Sequence, residues 1–194
     1  MVKKIFKISF IILLIFQTKS LANNPSDFVQ STVNKASDIL KQNISKEEKM
    51  KKIELIAEEV VDIKGIAFYS LGSHRKGLST EKKEEYFNVF KKYFLKSFSS
   101  RLAQYSDPKI KVSSQKKINE KYTIVSSILL ATDKTPEVKL DWRVVTKNID
   151  KPLIIDVVIE GVSLARVQRE EFNSIIQNKS IDELINNLRE FANK

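Results

Sequence analysis

Apolar residues recur at three- and four-residue steps through the first half of the chain, and at two-residue steps through much of the second. Pro25-Ser26 opens a helix that runs to about Gln42, with Phe28, Val29, Thr32, Val33, Ala36, Ile39 and Leu40 on its apolar stripe. Ser45-Lys46-Glu47-Glu48 has the spacing of a capping box and starts a second helix, which carries Met50, Ile53, Ile56, Ala57 and Val60 inward. Asp62 begins a short third helix over residues 63–71, ended by Gly72 as a left-handed cap, and a polar linker comes next over 73–78.

The fourth predicted helix, 79–105, is the unusual one. It holds Tyr86, Phe87, Phe90, Tyr93, Phe94, Phe98 and Tyr105, as many aromatic residues as the rest of the chain beyond residue 22. At about 100° per residue these seven rings fall within an arc of roughly 140°. Ser79 or Thr80 can cap its start, Glu81, Glu84 and Glu85 sit near the positive end of the helix dipole, and lysines fill the opposite side. So bulky a face either packs a plain core or lines a space for an apolar guest. Periodicity does not choose between the two.

Asp107-Pro108 is a turn signal, and four β-branched runs come after it at 109–114, 122–132, 138–147 and 153–160. Their short polar links favour an antiparallel meander. Along 122–130 both faces are largely apolar, so part of the sheet is expected to be covered on both sides. In the last run Leu153, Ile155, Val157 and Ile159 face one way, while Ile154 and Val158 share the other face with Asp156 and Glu160. Two helices close the chain, one over 163–177 and one from the box Ser180-Ile181-Asp182-Glu183 to near Phe191. The expected fold is α+β: about six helices packed on one side of a curled, four-stranded antiparallel sheet.

The N-terminus adds a targeting signal. Lys3, Lys4 and Lys7 precede an apolar run at 8–16, and Ser20-Leu21-Ala22 fits a small-x-small cleavage site. Residues 1–22 therefore read as a cleavable signal peptide and 23–194 as one domain. The run is shorter than the ~20 apolar residues that span a bilayer. Cysteine is absent, which removes thiolate chemistry and cysteine metal sites and leaves stability to packing. Of the net charge of +10, four lysines lie in the signal, leaving +6, which could favour anionic membrane surfaces or acidic partners but is read mostly as a solvated lysine surface. Nucleic acid is not an expected partner of an exported chain.

Chemistry has little to stand on. His74 is the single histidine, beside Arg75 and Lys76 in the polar linker, and reads as an exposed surface residue. Asp156 and Glu160 lie four apart on one strand face, too far for a carboxylate dyad, and read as a solvated edge or a salt bridge. There is no phosphate loop, nucleophile elbow or H-E-x-x-H. The N-x-S matches at Asn43 and Asn178 read as helix-start punctuation. Arg101 projects inside the aromatic arc, where it either pairs with an acid or stands at a cavity mouth to meet a phosphate. In the strand-to-helix corner 156–164, Gly161 allows a tight turn and Ser163 can cap the helix that begins there.

The corner D-V-V-I-E-G-V-S-L at 156–164 with Arg169 and Phe172, and the segment D-I-K-G-I-A-F-Y-S-L-G at 62–72, together carry a resemblance. So do the spacing to Glu85-Tyr86-Phe87, Phe90 and Tyr105, and the closing Ile181-Asp182-Glu183-Leu184. The chain resembles the MlaC family, also called the toluene-tolerance or ABC-transporter auxiliary component family. It departs from the family pattern at His74-Arg75, where aromatics are usual, and at Asp150-Lys151-Pro152, which replaces a Gly-Trp-type hairpin.

The resemblance implies an NTF2-like α+β domain with an apolar pocket. It also implies a periplasmic phospholipid carrier of a Gram-negative bacterium, expected as a monomer. Such a carrier exchanges lipid with an outer-membrane lipoprotein–porin complex and an inner-membrane ABC transporter bearing an MCE-domain ring, maintaining outer-membrane lipid asymmetry. No cofactor is implied, the lipid being cargo. The pocket is expected between the aromatic helix and the sheet, lined by Phe68, Phe87, Phe90, Phe94, Phe98, Leu102, Val125, Trp142, Val144, Ile155, Val157 and Val162, with Arg101 at the headgroup. Two other classes stay open: an enzyme on an NTF2-like scaffold, with Asp141, Asp156 or Glu160 as its acid–base group, and a transporter adaptor that holds no lipid.

Overall fold

A computed structural model describes residues 24–133, 136–148 and 150–194, so the predicted signal at 1–22 lies outside the described residues. The helices are α1 (Pro25–Lys41), α2 (Lys46–Val60), α3 (Ile63–Ser70), α4 (Thr80–Leu102), α5 (Leu164–Asn178) and α6 (Ile181–Asn193). The strands are β1 (Ile110–Asn119), β2 (Tyr122–Leu129), β3 (Val138–Val145), β4 (Leu153–Ile159) and the two-residue β5 (Val162–Ser163). The α+β class and the antiparallel meander are as expected, in the order β1-β2-β3-β4-β5. A fifth strand was not foreseen, because Val162 and Ser163 are too few to show a period. Linker 73–78 is also not plain loop but part of a 3-10 turn, Gly72–Gly77.

Helix starts match the sequence signals closely. Ser45 and Glu48 complete a reciprocal capping box on α2. Ser79, Ser163 and Ser180 each accept from the backbone N–H three residues on, which satisfies one orphan donor per helix. Gly72 holds φ +58°, the left-handed cap the sequence implied, and Arg169 packs across it.

Two apolar clusters with no residue in common lie in the interior, with buried Leu40, Ile53, Val60, Leu140, Ile154 and Val158 outside both. The first is helical: Ala57 of α2, Ile63, Ile66 and Ala67 of α3, Tyr86, Phe90 and Leu95 of α4, Phe172 of α5, and Leu184, Ile185 and Leu188 of α6. The second joins Val29 and Val33 of α1 to Val125 of β2 and Val144 of β3, with Phe28, Ile110, Val112 and Trp142 around them. Polar clamps hold α1 to β1. The Gln30 side chain donates to the Ile110 carbonyl (3.2 Å) and accepts from the Val112 N–H (2.9 Å), taking the place of a neighbouring strand at that edge. Ser37 Oγ donates to the Pro108 carbonyl at 2.8 Å.

The sheet meets the helical layer along β4. The Asp62 N–H donates to the Ile154 carbonyl at 2.9 Å, and α3 and α5 both pack on β4. Among the described residues no helix is long and apolar enough to cross a membrane.

Candidate functional site

α4 turns three faces to three environments. One face is fully buried: Tyr86 and Phe90 are 0% and 1% exposed, and the Phe90 ring lies within 5.7–6.2 Å of Tyr86, Tyr93, Phe94 and Phe172. The Phe172 ring stands edge-on to it at 87°. Ser70 Oγ donates to the Ala67 carbonyl, so the Tyr86 hydroxyl at 2.8 Å must be the donor to Ser70. Burial pushes the Tyr86 phenol well above its ordinary pKa of 10.0, keeping it neutral at any physiological pH.

A second face meets α2, where Ser99 Oγ donates to Glu54 Oε1 (2.9 Å) and Lys91 pairs with Glu58 (2.7 Å). The third face carries Phe87, Phe94, Phe98 and Leu102, all half-buried. Phe87 packs on Phe68 of α3, with ring centroids 6.3 Å apart. Phe94 and Phe98 stack nearly parallel, 5.8 Å apart with 5° between their planes. The principal neighbours of α4 are α2, α3 and α6; no strand is among them.

Eight of the twelve predicted lining residues are divided between the two clusters, and Leu102, Ile155, Val157 and Val162 belong to neither. Phe68, Phe87, Phe90, Phe94 and Phe98 belong to the helical one, whereas Val125, Trp142 and Val144 belong to the cluster under α1. The clearest departure is Val162, which is 46% exposed at the outer edge of the sheet, since β5 continues past the turn and carries it away from the interior. Phe90 is enclosed by rings and Val125 and Val144 are 0% exposed, so these three are packing residues in this state. Ile155 and Val157 of β4 are half-buried.

Arg101 is exposed. It lies on the flank of α4 that faces α5 and α6, where a cavity of about 460 Å³ is lined by Tyr93, Arg101, Glu171, Phe172 and Phe191 among others. The wheel placed Arg101 within the aromatic arc, and the cavity sets it beside Tyr93, one of the rings of that arc, with Ser97 between them. Tyr93 closes the same flank through Gln168 (3.1 Å) and the Phe191 ring (5.2 Å).

The candidate acids are all engaged. Asp156 is buried, accepts from Ser163 Oγ and from the Ala165 N–H (2.9 Å), and has Arg143 at 3.4 Å. It ties the start of α5 to β4, so the solvated-edge reading fails for it and the salt-bridge reading holds. Asp141 accepts from Ser126 Oγ at 2.6 Å. Glu160 has left β4 for a left-handed turn (φ +47°) and accepts from the Lys139 N–H, so it shares no strand face with Asp156. His74 is half-buried rather than exposed, with Nε2 2.8 Å from Asn173 Oδ1.

Sequence reasoning missed the residues of α1. Their apolar stripe was plain, but nothing local says that Val29 and Val33 meet Val125 and Val144.

Comparison with known proteins agrees with this architecture. Residues 30–190 match the family model of the MlaC protein. Over 127 residues the chain is 28% identical to the intermembrane phospholipid transport system binding protein MlaC of Haemophilus influenzae, a stretch covering 64% of this chain and 59% of that protein. The fold is also that of a phospholipid-binding protein from Ralstonia solanacearum solved in complex with a phospholipid, with a TM-score of 0.70 and 16% identity. That match covers 84% of this chain and 94% of the other. With the family pattern spanning both the helical layer and the sheet, the chain belongs to the MlaC family.

Proposed function

We propose that this protein is a periplasmic phospholipid carrier that shuttles lipid between an outer-membrane lipoprotein complex and an inner-membrane MCE-type ABC transporter. The observation that carries the reading is the division of these apolar residues into two clusters, with Phe94 and Phe98 stacked and only half-buried on the helical one. Acyl tails would enter by parting these clusters, between the Phe94–Phe98 face of α4 and the Trp142, Ile155 and Val157 side of the sheet. Separating two clusters that share no residue leaves each one internally packed. Opening a single continuous core would forfeit its contacts throughout.

The physical need for a carrier is large. Two acyl chains hold about 30 methylenes, and at ~0.8 kcal/mol each their exposure to water costs roughly 24 kcal/mol. As a barrier, that allows escape on the order of once a day. Transfer from one apolar pocket directly to another avoids most of it, so the work requires an opening and docking surfaces and no bond-making step. The likeness to the Haemophilus and Ralstonia proteins, one named for intermembrane phospholipid transport and one solved with phospholipid, supports the same reading.

Native mass spectrometry of gently purified protein tests it. The expected spectrum contains the polypeptide plus the mass of a phospholipid, exchangeable with labelled vesicles. Bare polypeptide together with no exchange would sink the proposal.

A further inference from the structure

The two faces of the sheet are treated differently. Residues opposite one another in register project to the same side. Val125, Trp142 and Val157 share one side with the α1 contact residues. The other side carries the rows Lys111–Ile128–Lys139, Lys116–Ile124–Arg143–Asp156 and Tyr122–Val145–Leu153. At β4 this side is covered, since Asp156 and Val158 are buried where α5 packs. No helix is a principal neighbour of β3, and α1, which packs on the opposite face, is the helix neighbour of β2, so the open part is the β1–β3 part. Ile124, Ile128, Tyr122 and Val145 on the open side are half-buried, and Lys111, Lys116 and Lys139 are exposed.

Charge is concentrated in the same place. Residues 109–147, which hold β1, β2 and β3, carry nine lysines and arginines against four acids, a net +5, whereas 148–163 with β4 and β5 carries a net −2. The acids on the open face are engaged: Asp141 with Ser126, and buried Asp156 with Ser163, Ala165 and Arg143. Gln30 of α1 guards one end of the β1 edge.

We propose that this open sheet face is the surface by which the protein adsorbs to an anionic lipid bilayer. An open face with an aliphatic centre and a basic frame suits a layer of acidic headgroups, since lysine stems can cover apolar surface while their ammonium groups reach outward. Tyr122, amphipathic and next to Arg143, is the residue type that favours a headgroup layer. The choice of cation separates a bilayer from a protein partner. Protein interfaces are poor in lysine and rich in arginine and aromatics, whereas three of the four framing cations here are lysines. Point charges on flexible stems suit a fluid layer of phosphates that offers no fixed geometry. The proposal rests on the carrier reading and adds the surface that would bring the carrier to a membrane.

The test is co-sedimentation of the protein with phosphatidylglycerol vesicles and with phosphatidylcholine vesicles, at low and at high salt. Binding is expected to phosphatidylglycerol alone and to fade at high salt. The triple variant Lys111→Gln/Lys116→Gln/Lys139→Gln should weaken it about 100-fold. A control, Lys46→Gln/Lys51→Gln/Lys52→Gln, removes the same charge from α2 and should weaken it far less. Circular dichroism and native mass spectrometry of the sheet variant should show a folded, lipid-loaded protein. Equal losses in the two triple variants would overturn the proposal, as would absence of wild-type binding to phosphatidylglycerol or equal binding to phosphatidylcholine. A wild-type protein that carries lipid yet ignores both vesicles defeats this inference alone, and leaves the basic face to an acidic protein; one that carries no lipid defeats the carrier reading instead.

Discussion

Tyr86 shows how one side chain holds a layer together. Its ring is fully enclosed, and its hydroxyl has a single partner, Ser70 of α3, whose own proton is committed to Ala67. Tyr86→Phe deletes only the donor, so about 1 kcal/mol of stability should be lost in urea unfolding with little change in slope. An unchanged midpoint would mean that the hydroxyl bond contributes nothing net. Asp156 plays the matching part on the sheet side, where one carboxylate joins β4, the turn and the first turn of α5. This is why the strand-to-helix corner at 156–164 combines an acid, a glycine and a serine. Gly161 takes φ +82°, Ser163 caps α5, and Asp156 holds both ends of the turn.

At the scale of the element, α4 divides its aromatics between two tasks. Phe90→Ala should cost about 3–5 kcal/mol in denaturant unfolding, because four rings lose their common neighbour. Phe94→Ser/Phe98→Ser should retain more stability but reduce the lipid that co-purifies. If the second pair of changes unfolds the protein as severely as Phe90→Ala and leaves loading intact, the proposed division is wrong. The start of α4 is clasped to α6 by Lys82, which bonds Glu85 and Asp182, and by Arg189, which bonds Glu85. These bonds hold the Glu85 carboxyl below its ordinary value of 4.5, chiefly through Lys82 and then Arg189. They also hold Lys82 above 10.5, through Glu85 and then Asp182. A lowered carboxyl pKa stabilises above the ordinary value and ceases to as pH falls through the native one. A raised lysine pKa stabilises below 10.5 and ceases to as pH rises through its native value. Amide exchange in the first turns of α6, corrected for intrinsic rates, should therefore quicken as pH drops below about 4.5, and Glu85→Gln should remove that dependence. All these groups are exposed, so the effect is small and should shrink in high salt.

Across the whole molecule, the two clusters and the charge distribution point the same way. The helical cluster and the α1–sheet cluster are joined along β4 and along the α1–α2 hairpin, so the interior has a built-in seam. Outside, the segment that holds β1, β2 and β3 carries a net +5. A carrier that must both open and find a surface has use for each property.

Much of the fold was legible in sequence because its signals are local. Serine caps, the glycine at Gly72 and the three- or two-residue apolar periods depend on neighbours a few positions away, and each was met in the structure close to its predicted place. The sheet residues of the site were not legible in this way. A period of two says that Val125 and Ile124 face opposite sides, but not which side α1 will cover. The wheel could not say which partners Arg101 meets for a related reason: an arc records direction from one axis, whereas α4 is surrounded by partners in several directions. His74 and Val162 depended on whether a loop lay down on α5 or turned outward, which no local pattern encodes. Sequence by itself thus determined the elements, their ends, the aromatic wealth of α4 and the family. Tertiary structure alone decided which rings are sealed and which remain half-open, and which face of the sheet is left bare and basic. Periodicity is a property of one segment, while burial is a property of the pair of surfaces that meet.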